Sequence, residues 1–305
     1  MFVKTQFSIK DLENLSGIKA HTIRIWEKRY HLLEPDRTQT NIRFYNLENL
    51  KRLLNVTFLY NEGYKISKIA HLKEKEILKI IQEKGNDSKE TYALQAFKTA
   101  MFDFDYYAFA EVYQHLIKTK SFNDIFFDVF IPLLNDIGNL WSTGSIDPIH
   151  ERFISEIIKQ KIITENHRLL ESLPEKKTPQ FVLYLPYEEI HEIGLLFTNY
   201  KLLSEGFPTV YLGNNIPLES LKHLLKHYES LTFLTYFTVK PDTESVYEYV
   251  TRFDKEINPN HKMELWLMGL KVKGIDKDKL PEYVSIINSL KDFEQKISVL
   301  KKSQI

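Results

Sequence analysis

The sequence predicts a multidomain protein of mixed α and α/β class, with a helical head, a helical bundle and a doubly wound parallel sheet. Three changes of pattern along its 305 residues carry this prediction. Short amphipathic segments rich in basic and aromatic residues occupy residues 5–75, and a helical pattern rich in Phe and Tyr occupies 90–172. Beyond a Pro-bounded break at 174–179, short apolar runs alternate with amphipathic segments, as in parallel sheets with crossover helices.

Two polar breaks divide the chain into predicted domains. The first break, at 85–89, follows the head, and the prolines at 174 and 179 bound the second. The predicted segments are a head over 1–75, a linker over 76–89, a helical bundle over 90–175 and an α/β domain over 179–305.

Strand and helix patterns alternate within the α/β segment. Strands are predicted at 181–185, 209–212, 231–239 and 264–268, and helices at 193–203, 218–227, 244–253 and, closing the chain, within 284–300. Helices of this length between strands imply crossover connections, so we expect the four strands to run parallel.

Composition and charge restrict the classes of function. The 41 Lys and Arg balance 41 Asp and Glu, so nucleic-acid binding requires a local excess of basic residues. The absence of cysteine excludes disulfides, Cys-ligated zinc and thiol sensing. The sequence has neither an apolar leader nor an apolar run of membrane-spanning length, so we expect a cytoplasmic protein that does not contact a membrane.

The head has the pattern of a winged helix-turn-helix. Ser8 and Asp11 have the spacing of a capping box at the start of a first helix. Gly17 suits a tight turn before a second helix over 19–29, and residues 37–45 have the pattern of a short β-hairpin wing. This arrangement predicts binding to double-stranded DNA, with the second helix in the major groove.

The second helix and the wing supply the candidate DNA contacts. Ile23, Ile25 and Trp26 are predicted to pack inward, which leaves the polar side chains of the helix facing bases and phosphates. The candidates are Lys19, His21, Thr22, Arg24, Lys28, Arg29 and Tyr30 on the helix, and Arg37, Arg43 and Tyr45 on the wing. Residues 1–53 hold ten Lys or Arg against six Asp or Glu, an excess of four that suits phosphate neutralisation.

The order of these motifs resembles the MerR family of transcriptional regulators. The matching features, all within 5–72, are the stretch from His21 to Glu27, Leu32-Leu33-x-Pro35, Arg43-Phe44-Tyr45 and Gly63-Tyr64-x-Ile66. The resemblance implies a dimer bound to a near-palindromic promoter site. MerR-type metal and thiol sensors use cysteines, so the composition excludes that branch of the family.

A histidine follows the first predicted strand of the α/β segment. His191 lies in the pattern Glu189-x-His191-x-x-Gly194, at the carboxyl end of a strand, where doubly wound sheets contact their ligands. A loop histidine beside a carboxylate suits metal ligation, because the carboxylate fixes the tautomer of the ring. The same short pattern also fits an ordinary surface histidine.

Together with the bundle, this pattern resembles the cobalamin-binding module, and the whole chain resembles the cobalamin-dependent light-sensing MerR repressors (CarH/LitR type). The matching order is Trp141-x9-Glu151, then the motif around His191, then Leu212-Gly213-x-x-x-Pro217. The resemblance implies a Rossmann-like cobalamin-binding fold with His191 as the lower ligand of cobalt. It also implies that Trp141 and Glu151 contact the upper face, and that the ligand controls a homodimer or homotetramer.

The upper-face motif departs from the family pattern at two positions. Arg152 follows Glu151 where the family has His, and His150 lies on the other side of the Glu. Ser142 stands where the family has its light-state His ligand, which argues against a photochemical bis-histidine adduct.

The lower domain departs where the family leaves room for the nucleotide tail of the cofactor. The small family Ser falls near Thr235 or Tyr236, and the family Gly-Gly pair reads Met268-Gly269. Overpacking such as a Tyr in place of a Ser typically costs about 1–3 kcal/mol or blocks entry. Two hypotheses remain: the regulator senses cobalamin, or Tyr236 and Met268 fill the pocket and it responds to another ligand or a partner protein.

The sequence does not favour an enzyme. A corrinoid methyl-transfer subunit would use the same module, but a DNA-binding head has no role in methyl transfer. The chain also shows no Ser/His/Asp array, no phosphate-binding Gly loop and no G-x-G-x-x-G after its first α/β strand.

Overall fold

The computed structural model describes residues 4–84, 89–173 and 180–303. It divides into two compact units, Met1–Ile158 and Lys159–Ile305, each of which is described by itself. The division falls inside a long helix, whereas the sequence predicted a boundary at 174–179, which lies outside the described residues. None of the described helices is long and apolar enough to cross a membrane.

The first unit begins with a helical head that carries a small hairpin. Its elements are α1 (Ile9–Ser16), α2 (Ala20–Tyr30), β1 (Asp36–Arg37), β2 (Arg43–Phe44), α3 (Leu47–Asn61), α4 (Ile66–Ile69) and α5 (Glu74–Lys84). Ser8 caps α1 in a full capping box with Asp11, as the spacing predicted. Gly17 ends α1 at φ +74°, a left-handed conformation that glycine adopts without strain, so the turn into α2 is sharp.

Part of the predicted linker is helical, which corrects the sequence prediction. Residues 76–84 belong to α5, because Ile77 and Ile81 lie one turn apart and are both buried where α5 packs against α3. Residues 85–88 of the predicted linker lie outside the described residues. The guanidinium of Arg52 on α3 donates to the carbonyls of Leu32, Ala70 and Leu72 and lies 3.5 Å from Glu74, the first residue of α5.

A helical bundle completes the first unit. Its elements are α6 (Lys89–Asp103), α7 (Tyr106–Leu116), α8 (Phe122–Ile125), a π-helical turn (Phe126–Phe130), α9 (Ile131–Ser142) and the start of α10 (Pro148–Ser172). Phe97 stacks on Phe109 at 4.0 Å between ring centroids, and Phe130 lies against both rings. Stacked aromatic rings therefore form the core of the bundle.

The second unit is a doubly wound parallel sheet, as predicted. Its elements are β3 (Phe181–Pro186), α11 (Ile193–Ser204), β4 (Thr209–Ile216), a 3-10 helix (Leu218–Lys226), β5 (Thr232–Tyr236), α12 (Val246–Glu256), β6 (Glu264–Met268), β7 (Val284–Ile286) and α13 (Leu290–Ser303). The strand order is β4-β3-β5-β6-β7, and every pair is parallel.

The sequence missed the fifth strand and mistook the type of one helix. Strand β7 is three residues long, too short to show an alternation, and the sequence predicted only a closing helix within 284–300. The predicted helix over 218–227 is a 3-10 helix. The other strands and helices of the α/β segment form at or near their predicted positions.

The two faces of this sheet have separate cores. Phe233 and Phe237 of the β5 segment pack with α12 on one face. Leu234 and Tyr236 pack on the opposite face, against α11 and α13. This alternation decides which side chains of β5 lie beside the motif that contains His191.

Candidate DNA interface and ligand site

One face of α2 carries exposed polar side chains. His21, Arg24 and Lys28 are spaced by three and four residues, so they share a face, and all three are exposed or half-exposed. Ile23 and Trp26 are buried on the opposite face, as predicted. Ile25 is 52% exposed, so the prediction that it packs inward was wrong. A residue two positions beyond Ile23 lies about 200° around the helix, which places Ile25 on the polar face.

A partly buried network connects α2 to the wing through Glu27. Arg43 donates its Nε to Glu27 Oε1 at 2.9 Å, and the hydroxyl of Tyr45 donates to Oε2 at 2.9 Å. The side chain of Tyr45 is fully buried, so the prediction that it contacts DNA is corrected. Burial, followed by the hydrogen bond to Glu27, raises the pKa of Tyr45 far above its ordinary value. Tyr45 therefore positions the wing against α2.

The other candidate DNA contacts stay at the surface of the head. Arg29 is exposed and lies over the ring of Tyr30, 5.5 Å from its centroid. Arg37 is exposed and donates to Asn41 at 2.7 Å. Lys19 is also exposed, and its ammonium is 3.4 Å from Glu13. Thr22 is half-buried, with its hydroxyl 3.3 Å from the Nε2 of His21.

Polar contacts join the head to the turn between α9 and α10 within the first unit. Lys4 donates its Nζ to the carbonyl of Gly144 at 2.7 Å, and its backbone N–H bonds the Asp147 carboxylate. Asn14 of α1 donates to the Ser145 hydroxyl at 3.0 Å. A change in the conformation of this turn would therefore reach the first helix of the head directly.

The same turn separates the two predicted upper-face residues. Trp141, at the end of α9, is 54% exposed, so it is not a residue of the bundle core. Glu151, at the start of α10, accepts a hydrogen bond from Ser155 at 2.5 Å. His150 is buried and stacks on Phe104, and this burial lowers its pKa below the ordinary value.

Glu189 fixes the orientation of His191 in the second unit. Glu189 Oε1 lies 2.5 Å from His191 Nδ1 and also accepts the backbone N–H of His191. Its other oxygen accepts the backbone N–H groups of Thr238, Val239 and Lys240, in the loop after β5. The buried carboxylate thus bridges the loops that follow two neighbouring strands, at the point where the strand order reverses.

These hydrogen bonds keep Glu189 ionised. Burial acts to raise the pKa of Glu189, but the backbone N–H donors of Lys240, His191 and Val239 outweigh it and hold the pKa at about 2. An ionised Glu189 keeps the proton of the neutral imidazole on Nδ1 and leaves the lone pair on Nε2. Within the described ranges, Nε2 of His191 has no hydrogen-bond partner, and its side chain is 52% exposed.

Exposed apolar side chains occupy the same end of the sheet. We call them the apolar rim: Tyr187 and Ile190 follow β3, Val239 follows β5 and Leu270 follows β6, three adjacent strands. Isolated exposed apolar residues are common, but a group on adjacent loops that also carry a half-exposed histidine is a candidate binding surface. The apolar rim and His191 suit a flat apolar ligand that carries a metal ion.

Tyr236 occupies the space beside Gly194 on α11. A Cβ built on Gly194 would lie 2.9 Å from Cε1 and 3.3 Å from Cζ of the Tyr236 ring. The hydroxyl of Tyr236 lies 2.6 Å from the Oγ1 of Thr198, which itself donates to the Gly194 carbonyl at 2.8 Å. Gly194 thus makes room for a tyrosine of this same chain.

The geometry resolves which β5 residue faces the motif of His191. Thr235 points to the opposite face of the sheet, where Phe233 and Phe237 pack, so Tyr236 is the residue beside Gly194. Gly269 has a structural role, because a Cβ there would lie 2.5 Å from the carbonyl oxygen of Phe237. With φ at +105°, only glycine fits without strain, so Gly269 closes the ends of β5 and β6 together.

A corrinoid fits one part of this site and not another. His191, oriented by an ionised carboxylate, and the apolar rim suit a metal-bearing macrocycle. The described residues contain no group of three or more His, Cys, Asp or Glu that could hold a metal ion. The space beside Gly194 does not suit a nucleotide tail, because Tyr236 fills it.

Two family models match separate parts of the chain and define its class. Residues 7–76 match the model of MerR HTH family regulatory proteins, and residues 93–164 match the model of a B12 binding domain. The chain is a MerR-type DNA-binding regulator with a B12-binding domain.

The chain is also similar, at a distance, to named regulators. It is 27% identical over 223 residues to the HTH-type transcriptional repressor CarH of Myxococcus xanthus, covering 70% of this chain and 73% of CarH. It is 24% identical over 221 residues to the repressor CarA of Myxococcus xanthus, covering 70% of each protein. These homologues are transcriptional repressors, not enzymes, in agreement with the sequence prediction.

The fold of the chain resembles that of a solved corrinoid protein. The monomethylamine corrinoid protein of Methanosarcina barkeri aligns with a TM-score of 0.55 at 14% identity, covering 67% of this chain and 96% of that protein. At this identity the similarity concerns the fold, and it confirms the corrinoid-protein type of architecture predicted from the sequence.

Proposed function

We propose that this chain is a transcriptional regulator that binds a near-palindromic site on double-stranded DNA and senses a cobalamin-type ligand. The ligand binds at His191 and controls a homodimer or homotetramer, and thereby promoter binding. The proposal has two halves, DNA binding and ligand sensing. The observation that supports the sensing half is the contact between Glu189 and His191, which orients Nε2 of His191 at the carboxyl end of the sheet.

The exposed face of α2 supports the DNA-binding half. His21, Arg24 and Lys28 are placed to meet bases and phosphates in the major groove, and Arg37 extends from the wing. Glu27 holds the wing in a fixed position relative to α2, because it accepts hydrogen bonds from both Arg43 and Tyr45. A rigid helix and wing present their charges to a DNA backbone at little entropic cost.

His191 would hold the metal of the ligand in this proposal. A bound corrinoid would supply a cobalt ion, which His191 would bind through Nε2. Glu189 keeps Nδ1 protonated and orients the ring, so that Nε2 is the atom left for the metal. The apolar rim would pack against the bound ligand and keep water from the part that it covers. The roles of Trp141 and Glu151 stay predictions.

The turn between α9 and α10 supports communication between the bundle and the head. Lys4 and Asn14 of the head contact Gly144, Ser145 and Asp147 of this turn. The match to the B12-binding domain covers α9, the turn and most of α10, so a ligand that orders this domain also acts on the attachment of the head.

Retention of a corrinoid by the purified protein tests the sensing half. Full-length protein is incubated with an excess of a corrinoid, desalted, and its corrin absorbance measured per chain. We expect bound corrinoid with an absorption spectrum shifted by axial ligation, and loss of the shift in His191→Ala. The matched control is His223→Ala, which removes an exposed histidine from the 3-10 helix of the same unit. Colourless wild-type protein would refute the sensing half.

A second candidate function rests on the position of Tyr236. Since the ring fills the space beside Gly194, the alternative is a regulator that binds no cobalamin and responds to another ligand or a partner protein. Wild type that binds no corrinoid, together with corrinoid binding gained by a Tyr236→Ser variant, would favour this candidate.

A further inference from the structure

We infer that the site selects a corrinoid that lacks a nucleotide tail, with Tyr236 as the residue that sets this specificity. The inference rests on the proposed function, because it names the form of the cobalamin-type ligand that binds at His191. It follows from a difference within the site. His191 and the apolar rim are exposed to solvent, whereas the space beside Gly194 is filled by the Tyr236 ring.

Hydrogen bonds hold the Tyr236 ring in the closed position. Thr198 donates its hydroxyl proton to the Gly194 carbonyl at 2.8 Å, so the Tyr236 hydroxyl is the donor in the 2.6 Å contact between the two side chains. Both hydroxyls are buried. Moving the ring would therefore break a buried hydrogen bond and leave its partner without a replacement.

Packing holds the ring from the other sides. Tyr236 belongs to the core that includes Leu234, Trp266 and Met268, which are all buried. On the side of α11, the contact is so close that even a methyl group on Gly194 would collide with the ring. A nucleotide tail is larger than a tyrosine ring, so it cannot share this space while Tyr236 stays in place.

The surface for the macrocycle does not depend on this space. His191 and Ile190 are exposed on the loop after β3, and Val239 is exposed on the loop after β5. Glu189 anchors both loops through its buried carboxylate. The position of Nε2 is thus set by Glu189, and a corrinoid that ends at its ring side chains can reach it without displacing Tyr236.

The test compares two corrinoids that differ in the tail. Full-length wild-type protein is titrated with cob(II)inamide, which has no nucleotide, and with cob(II)alamin, which has one. Binding is followed by the absorption change and by the cobalt electron paramagnetic resonance signal of axial nitrogen ligation. We expect wild type to bind cob(II)inamide more tightly by roughly tenfold or more. We expect His191→Ala to lose the nitrogen signal with cob(II)inamide.

Two substitutions of Tyr236 distinguish the effect of its ring from the effect of its hydroxyl group. Tyr236→Ser opens the space, so the preference for cob(II)inamide should shrink or reverse. Tyr236→Phe keeps the ring and removes only the bond to Thr198, so its preference should stay close to that of wild type. Retained cob(II)inamide binding shows that each variant is folded at the site. The wild-type comparison stands even if Tyr236→Ser does not fold.

The outcomes distinguish this inference from the proposed function. Equal affinity of wild type for both corrinoids overturns the selection against a tail and leaves corrinoid sensing intact. Failure of both corrinoids in wild type and in Tyr236→Ser overturns the proposed sensing and this inference together. Binding of haemin with ligation by His191, in the absence of any corrinoid binding, overturns the assignment of the ligand to the corrinoids.

Discussion

The DNA-binding head and the ligand site of the α/β unit each use a carboxylate to position neighbouring groups, but they differ in the space they leave. In the head, Glu27 positions the wing, and the face of α2 stays open for DNA. In the α/β unit, Glu189 positions His191, yet the space beside Gly194 is closed by Tyr236. The comparison teaches that the orientation of a ligating atom and the free space around it are determined separately. Glu189 orients Nε2 of His191, whereas Tyr236 determines the space beside Gly194.

The largest effect is expected on DNA binding. The variant Arg24→Ala/Lys28→Ala/Arg37→Ala removes three surface cations and should weaken operator binding by about 4 kcal/mol, roughly a thousandfold. The slope of the salt dependence should fall by about 0.9 for each phosphate that the variant no longer neutralises. Fluorescence anisotropy at two or more salt concentrations measures both. Arg168→Ala, which removes an exposed arginine from the second unit, is the control. If the DNA affinity of the triple variant equals that of wild type, α2 and the wing do not form the DNA interface.

Loss of the Glu189 charge should destabilise the α/β unit. Because the pKa of Glu189 is lowered to about 2, its contribution is complete above the unfolded value of 4.5 and is lost as pH falls towards 2. We expect Glu189→Gln to cost about 3 kcal/mol at pH 7 and much less near pH 2. Urea unfolding across this range measures the difference. Glu188→Gln, at an exposed neighbour, should change little. A cost that is the same at both pH values would contradict the account.

Loss of Glu27 should have a smaller effect, confined to the head. Glu27→Ala leaves the buried Tyr45 hydroxyl without its acceptor, which costs about 1–3 kcal/mol of stability. It also frees Arg43 and the wing, so DNA affinity should fall as well. Thermal unfolding and anisotropy measure the two effects, with the exposed Glu48→Ala as the control. Loss of affinity without loss of stability would instead favour direct DNA contact by this network.

The smallest effect is expected at His150. Burial lowers its pKa, so the folded state keeps it neutral while the unfolded state binds a proton below the ordinary value of 6.5. Stability should therefore fall as pH drops below that value, by at most about 1.4 kcal/mol per pH unit. His150→Gln should reduce this slope. The pH dependence of stability is measured by urea unfolding at about pH 7.5 and about pH 5.5, roughly one unit above and below the ordinary histidine pKa. If His150→Gln shows the same change of stability with pH as wild type, the pH dependence comes from groups other than His150.

Local signals in the sequence predicted the elements of the fold that depend on near neighbours. Ser8 and Asp11 are three residues apart, and Gly17 ends α1, so their pattern was sufficient to place the first helix. The second helix was predicted correctly, but Ile25 was predicted to face inward and is exposed. The angle of about 100° between successive helical residues places Ile25 on the side opposite to Ile23, which is buried. That signal was present in the sequence.

Other features depend on contacts between residues far apart in the chain. The burial of Tyr45 depends on Glu27, 18 residues earlier, and the hydroxyl of Tyr236 meets Thr198 across 38 residues. The sequence left Thr235 and Tyr236 as alternatives, because strand alternation alone does not tell which face of β5 lies against α11. The sequence indicated His191 and Glu189 from their spacing, but the three backbone donors that hold Glu189 come from the loop after β5.

Sedimentation velocity of the full-length protein, with and without cob(II)inamide, tests the central claim most directly, because the claim joins ligand binding to assembly. The account predicts that the ligand changes the sedimentation coefficient of wild type, that His191→Ala does not respond, and that His223→Ala responds like wild type. An identical sedimentation coefficient with and without bound ligand in wild type would contradict the claim that a ligand at His191 controls assembly.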